Sequence, residues 1–273
     1  MSAPMSLKDR VAVITGAGSG IGRATAMSLA RRGCHLALAD IDEAGLAETL
    51  ARGAPSGVRM SRHRLDVASR EAVAALPAAV MDVHGRVDLL VNNAGVALGG
   101  SFDQVSEADF DWLMEINFHG VVRMTRAFLP LLKASDDARI VNLSSVYGII
   151  APPGQCAYAA SKFAVRGFSN ALRHELAGTR VGVSVVHPGG VATAIARNAR
   201  IAPGIPADVL RERLALADRL LRMPPEKAGE IIVSGVERRR ARILVGRDAA
   251  IIALIERLAP VSYWRVLSFG RRL

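Results

Sequence analysis

The chain has 273 residues, 51% of them hydrophobic, and 35 Lys and Arg against 25 Asp and Glu give a formal charge of +10. This length and apolar content suit one large globular domain and exclude a disordered chain. No apolar run reaches the roughly 18 residues of a membrane span. Two cysteines exclude a disulfide framework and fit a reducing, cytoplasmic setting, and the scattered basic residues with only 4% aromatics argue against nucleic-acid binding.

In chain order, residues 1–10 lack an apolar leader. Residues 11–15 read as a buried strand, 22–32 as a helix, 36–39 as a second strand and 43–51 as a second helix. A third strand is expected near 58–65, a helix over 69–83 capped by Ser69, and a fourth strand over 87–91. A long helix over 107–133 follows, then a strand at 140–143, a helix over 157–177 and a strand at 181–186. Near-continuous apolar strands alternating with helices predict a doubly wound, Rossmann-like α/β domain with a mostly parallel sheet covered on both faces. After Pro188 the alternation stops, and 192–223 is rich in arginine and alanine. A helix over 225–239 and a strand over 243–246 resume it. The expected division is a catalytic domain over 1–247, with a substrate lid over 194–223, and an amphipathic extension over 248–273.

At the first strand–helix junction stands Thr15-Gly-Ala-Gly-Ser-Gly-Ile-Gly22. Glycines permit a tight turn and close backbone approach, and free amides at a helix N-terminus bind a pyrophosphate. The spacing departs from the usual Gly-x-Gly-x-x-Gly. Asp40 ends the second strand, where a carboxylate can accept both adenosine ribose hydroxyls and would repel a 2'-phosphate. No arginine occupies position 19 or 41, so NAD is expected over NADP.

Tyr158 and Lys162 stand four residues apart in Tyr-Ala-Ala-Ser-Lys, on one face of the expected helix. A free tyrosine titrates near 10. Bringing it to neutral pH takes about 4 kcal/mol, more than one lysine supplies, and an oxidised nicotinamide would be a second cation. Ser145 lies thirteen residues upstream. His187 is expected to pack at a strand end, and the six histidines show no metal-ligand spacing.

These motifs, in this order, resemble the short-chain dehydrogenase/reductase family of the single-domain type. The resemblance covers about residues 6–195. It implies that Asn117, Ser145, Tyr158 and Lys162 form a catalytic tetrad: Tyr158 as general acid/base, Ser145 holding the substrate oxygen, Lys162 lowering the tyrosine's pKa and binding the nicotinamide ribose, and Asn117 holding a proton-relaying water. It implies a cofactor loop with Gly16, Ser19, Gly20, Ile21 and Gly22, an adenine contact at Asp66 and Val67, and a lining formed by Asn93, Ala94 and Gly95. Pro188, Gly189, Val191 and Thr193 would meet the nicotinamide end. A homodimer or homotetramer is implied as well.

Lid residues Ile195, Ile201, Ile205, Leu210 and Leu214, with walls at 96–100 and 146–151, suggest an apolar alcohol or ketone substrate. The tail carries Ile251, Leu254, Leu258, Val261, Trp264 and Phe269 among Arg257, Arg265, Arg271 and Arg272. Docking on the domain, contact with another subunit and peripheral contact with a membrane surface all fit it. The competing functions are a 3-ketoacyl thioester reductase using NADP and a catalytically silent dinucleotide sensor.

Overall fold

A computed structural model describes residues 3–268, apart from the Arg213 side chain. Phe269, Arg271 and Arg272 of the tail lie outside the described residues. The order of elements is β1 (Val11–Thr15), α1 (Gly20–Ala30), β2 (His35–Asp40), α2 (Glu43–Gly53), β3 (Met60–Arg64), α3 (Arg70–His84) and β4 (Leu89–Asn92). Then come β5 (Leu98–Gly99), α4 (Glu107–Met114), α5 (Gly120–Ala134), β6 (Ala138–Leu143), α6 (Cys156–Glu175) and β7 (Val181–Pro188). The chain closes with β8 (Arg200–Ile201), α7 (Ala207–Leu220), α8 (Pro225–Glu237), β9 (Arg242–Val245), α9 (Arg247–Leu258) and α10 (Tyr263–Ser268).

Seven strands form one parallel sheet in the order β3-β2-β1-β4-β6-β7-β9. Strand side chains alternate faces, and each face meets its own helices. Ala12, Ile14, Leu36 and Leu38 pack with Leu29 of α1 and Ile232 and Val233 of α8. Val13, Ala37 and Ala39 pack with Val80 of α3 and Met124, Phe128 and Leu132 of α5. Both faces are therefore dry at the centre of the sheet, which is why its inner strands, unlike the edge strand β3, read as near-continuous apolar runs. Strand order reverses between β1 and β4, so a crevice opens beyond their C-terminal ends.

Three features depart from the sequence expectation. The long helix divides into α4 and α5 at a π turn over Glu115–His119, where the Gly120 amide reaches back to the Glu115 carbonyl. Residues 98–99 and 200–201 pair as a separate parallel ribbon, β5 with β8. The lid carries a helix, α7, none of whose described side chains is fully buried. Among the described residues, no helix is long and apolar enough to cross a membrane.

Candidate active site

The loop from β1 to α1 is shaped by glycine. Gly16 and Gly20 hold φ of 65° and 51°, a left-handed conformation that favours glycine. A Cβ on Gly22 would overlap the Gly16 carbonyl. Ser19 precedes α1 in extended conformation and makes no side-chain cap bond, so the first-turn amides of the helix have no side-chain acceptor there. Asn93 braces the loop: its Nδ2 donates to the carbonyls of Thr15 at 2.9 Å and Gly16 at 3.1 Å. The Thr15 hydroxyl in turn accepts the Asn93 and Ala94 amides, both at 3.0 Å. A cradle that a Cβ would fill, beside free helix amides, fits a dinucleotide pyrophosphate.

Asp40, the last residue of β2, accepts the Gly18 amide at 2.7 Å and the Asp42 amide at 3.0 Å. Its carboxylate thus sits at the lip of the glycine loop. Arg23, which the sequence reading passed over, reaches the same loop. Its guanidinium is committed to the Gly18 and Gly45 carbonyls, to Thr49 at 2.9 Å and to Glu48 at 2.8 Å. Beside Asp40, Ile41 is 59% exposed although apolar, a flat greasy surface suited to a purine. Its signal was an isoleucine immediately after the strand-ending carboxylate. Val67 is buried against Gly120, while Asp66 caps its own turn by accepting the Ala68 amide at 2.8 Å.

The tyrosine site gathers at the C-terminal end of β6. Tyr158 and Lys162 lie one turn apart on α6, with the Lys162 ammonium 5.6 Å from the Tyr158 ring centroid. The ammonium donates to the Leu143 carbonyl at 3.2 Å. Ser144 turns away and donates to the Lys162 carbonyl at 2.8 Å, whereas the Ser145 hydroxyl accepts the Tyr147 amide at 3.1 Å and faces the Tyr158 phenol. Burial pushes the Tyr158 phenol up to about 12, against the pull of Ser145. Burial pushes the Lys162 ammonium down to about 8. Both shifts penalise charge in a dry pocket.

Asn117 sits within the π turn, fully buried. Its Oδ1 accepts the Val96 amide at 2.8 Å, and its Nδ2 donates to the Val96 carbonyl at 3.0 Å and to the Ser161 hydroxyl at 3.2 Å. Protein groups therefore engage each polar atom of the side chain, which braces the segment after β4 against α6. Gly95 lets Asn117 and Lys162 approach, since a Cβ there would stand 3.0 Å from Asn117 Oδ1 and 3.4 Å from Lys162 Nζ.

Two further residues shape the site. His187, buried at the end of β7, donates through Nδ1 to the Ser145 carbonyl at 2.9 Å and fixes that residue's backbone. Burial pushes its imidazole down to about 4, so the ring is neutral at pH 7. Tyr147 meets Tyr158 edge to face at 6.0 Å. Beyond β7, Gly189 bonds the Val245 carbonyl and Gly190 bonds the Asp248 carboxylate at 2.6 Å. A Cβ at either glycine would collide with Asp248 or Leu220. Thr193 lies over the phosphate loop, its methyl 3.2 Å from where a Cβ on Gly20 would stand. Val191 is buried and bridges to Met223.

The lid is tied down through β8. Arg200 stacks 3.6 Å above the Trp112 ring and pairs with Asp109 at 3.1 Å. Ile195, Ile201, Leu216 and Leu220 stay partly exposed. Ile149 and Ile150, expected as a substrate wall, instead pack against Ala253, Tyr263 and Leu267 of α9 and α10.

Comparison with known proteins gives consistent results. The family model described as short chain dehydrogenase matches residues 10–203. SadH from Mycobacterium tuberculosis is 46% identical over 268 residues, covering 97% of this chain and 96% of SadH. The oxidoreductase UcpA of Salmonella typhimurium is 40% identical over 233 residues, covering 82% of this chain and 86% of UcpA. A short chain dehydrogenase/reductase from Burkholderia phymatum, solved in complex with NAD, is 33% identical with a TM-score of 0.86, covering 94% of this chain and 95% of that one.

Proposed function

This chain belongs to the short-chain dehydrogenase/reductase family and is an oxidoreductase acting on small molecules; on that footing we propose that it transfers a hydride between NAD and a hydrophobic secondary alcohol or ketone. The observation that carries the reading is the joining of Ser145, Tyr158 and Lys162 at one sheet end, next to a glycine loop closed by Asp40. NAD, when bound, supplies the hydride acceptor and, in its oxidised form, a positive charge in the same cleft. The residues do the rest. The Ser145 hydroxyl donates to the substrate oxygen and holds it beside Tyr158. Tyr158 takes the alcohol proton as the hydride leaves, and returns it in the reverse direction. Lys162 stabilises the phenolate. Asn117, through Val96 and Ser161, keeps the lysine's surroundings rigid. Gly16, Ser19, Gly20, Ile21 and Gly22 hold the pyrophosphate, Asp40 the adenosine ribose, and Pro188, Gly189, Val191 and Thr193 the nicotinamide end.

Partly exposed Ile195, Ile201, Leu216 and Leu220 on the lid support an apolar substrate. On the tail, exposed Ile251, Leu254, Leu258 and Val261 support contact with a second copy, as in a homodimer or homotetramer, or with a membrane surface of the cytoplasm. The test is a panel of secondary alcohols of increasing apolar size, read by the absorbance of the reduced nicotinamide with NAD and with NADP. Rising kcat/KM with size and a preference for NAD are expected. A preference for NADP with 3-ketoacyl thioesters would replace this reading with thioester reduction. NAD binding without hydride transfer to any substrate would replace it with a sensor.

A further inference from the structure

A second cavity, of about 620 Å³, opens at the other end of the sheet, where β6 and β7 begin. Five arginines and two aspartates line it, an excess of three positive charges. Two of the arginines are spoken for. Arg10 pairs with Asp136 and Asp88, and Arg239 grips both oxygens of Asp137 at 2.7 and 2.6 Å. Among the described residues, Arg139, Arg173 and Arg180 have no carboxylate within ion-pair distance. Arg173 has only the Asn170 amide oxygen at 3.1 Å and the His174 ring at 3.5 Å.

Arg139 is the unusual member. It is 5% exposed, and the only hydrogen bond of its side chain among the described residues runs from Nη1 to the Ser184 hydroxyl at 2.9 Å. Its Nε is buried with no partner. The guanidinium lies over Gly182, its register partner on β7, where a Cβ would stand 2.6 Å from Nη2. The strand thus leaves a gap for the head group at the cavity wall. Burial pushes this guanidinium down to about 10, so it remains charged at neutral pH. Buried charges are ordinarily paired, because removing an ion from water costs several kcal/mol. Here the neighbouring Asp137 is already used by Arg239.

We propose that this cavity binds a small phosphorylated molecule, with Arg139 at its floor and Arg173 and Arg180 at its rim. The guanidinium fork matches phosphate oxygens bidentately, the charge excess suits a dianion or trianion, and the volume lies in the range of small-molecule sites. The proposal does not depend on the hydride chemistry at the opposite sheet end.

The probe is inorganic pyrophosphate, titrated calorimetrically at constant ionic strength into the full chain saturated with NAD, which fills the glycine loop, with succinate as a dicarboxylate control. The variants are R139M and the double variant R173A/R180A, whose side chains are not core elements. The expected result is one binding event per chain that weakens about tenfold or more for each arginine removed, with unchanged dehydrogenase activity in R173A/R180A. Pyrophosphate should also raise the melting temperature of the wild type but not of the double variant. Equal pyrophosphate binding by wild type and R173A/R180A, or no binding at all, overturns the site. Tighter binding of succinate than of pyrophosphate overturns the phosphate assignment. If R139M fails to fold, the double variant decides alone.

Discussion

At the scale of single residues, the magnitudes around Tyr158 decide how the site works. Burial holds the phenol near 12, and reaching neutral pH from there takes roughly 7 kcal/mol. An ammonium 5.6 Å from the ring supplies on the order of 3 kcal/mol at an effective dielectric of about 20. Lys162 alone is therefore insufficient, and a second cation must share the work. Lys162→Met should move the ascending, acidic limb of the pH–rate profile for alcohol oxidation to higher pH. An unmoved limb would mean that the lysine only positions the cofactor. The proposed role of Asp40 in choosing the nucleotide follows a similar logic. A charged hydrogen bond contributes about 1.5–3 kcal/mol, so Asp40→Ala should lower the kcat/KM ratio of NAD to NADP by about ten- to a hundredfold. Competing steady-state assays with both nucleotides measure it, and an unchanged ratio would assign specificity to other residues.

At the scale of elements, the inner strands were legible as short apolar runs and most helices by their own period. The glycine-rich turn Thr15–Gly22, the strand-ending Asp40 and the Tyr158–Lys162 spacing are local patterns as well. What was not legible depends on contacts far apart in sequence. The π turn at Glu115–His119 has no composition signal, since its residues read as continuous helix. The β5–β8 ribbon joins two-residue strands about a hundred positions apart, too short to show a pattern. His187 looked like a packing residue, and only the fold brings its Nδ1 to the Ser145 carbonyl. Likewise Asp248, at the start of the apolar tail, proved to hold the Gly190 loop. The ribbon makes the lid testable. Arg200→Ala removes a cation–π stack on Trp112 and the Asp109 pair, each worth about 0.5–1 kcal/mol at an exposed site. KM for the substrate should rise about two- to tenfold with a smaller effect on kcat. A fall in kcat alone would place Arg200 in the chemistry.

At the scale of the molecule, one parallel sheet separates two electrostatic ends. Its C-terminal end holds Ser145, Tyr158 and Lys162, the site proposed for hydride transfer, and its N-terminal end holds the arginines around Asp88, Asp136 and Asp137. Buried histidines couple both ends to acid. His84 meets the Ser61 hydroxyl at 2.8 Å near Arg59, and His187 lies near Arg166 and Arg242. Burial pushes each imidazole down to about 4. A depressed histidine favours the neutral folded form, so its contribution is complete above the ordinary value near 6.5 and is lost as pH falls toward 4. The unfolding free energy from urea titration should therefore fall between pH 6.5 and 4, by up to about 1.4 kcal/mol per pH unit for each histidine. A flat profile would mean that these rings titrate in the fold as they do in the unfolded chain. The account rests most heavily on Tyr158 as the proton-transferring group, and one comparison reaches it directly: single-turnover reduction of NAD by a secondary alcohol in wild type and Tyr158→Phe, with NAD affinity measured alongside. The account predicts a loss of roughly a hundred- to ten-thousandfold in rate with NAD affinity retained. Wild-type turnover by the phenylalanine variant would contradict it.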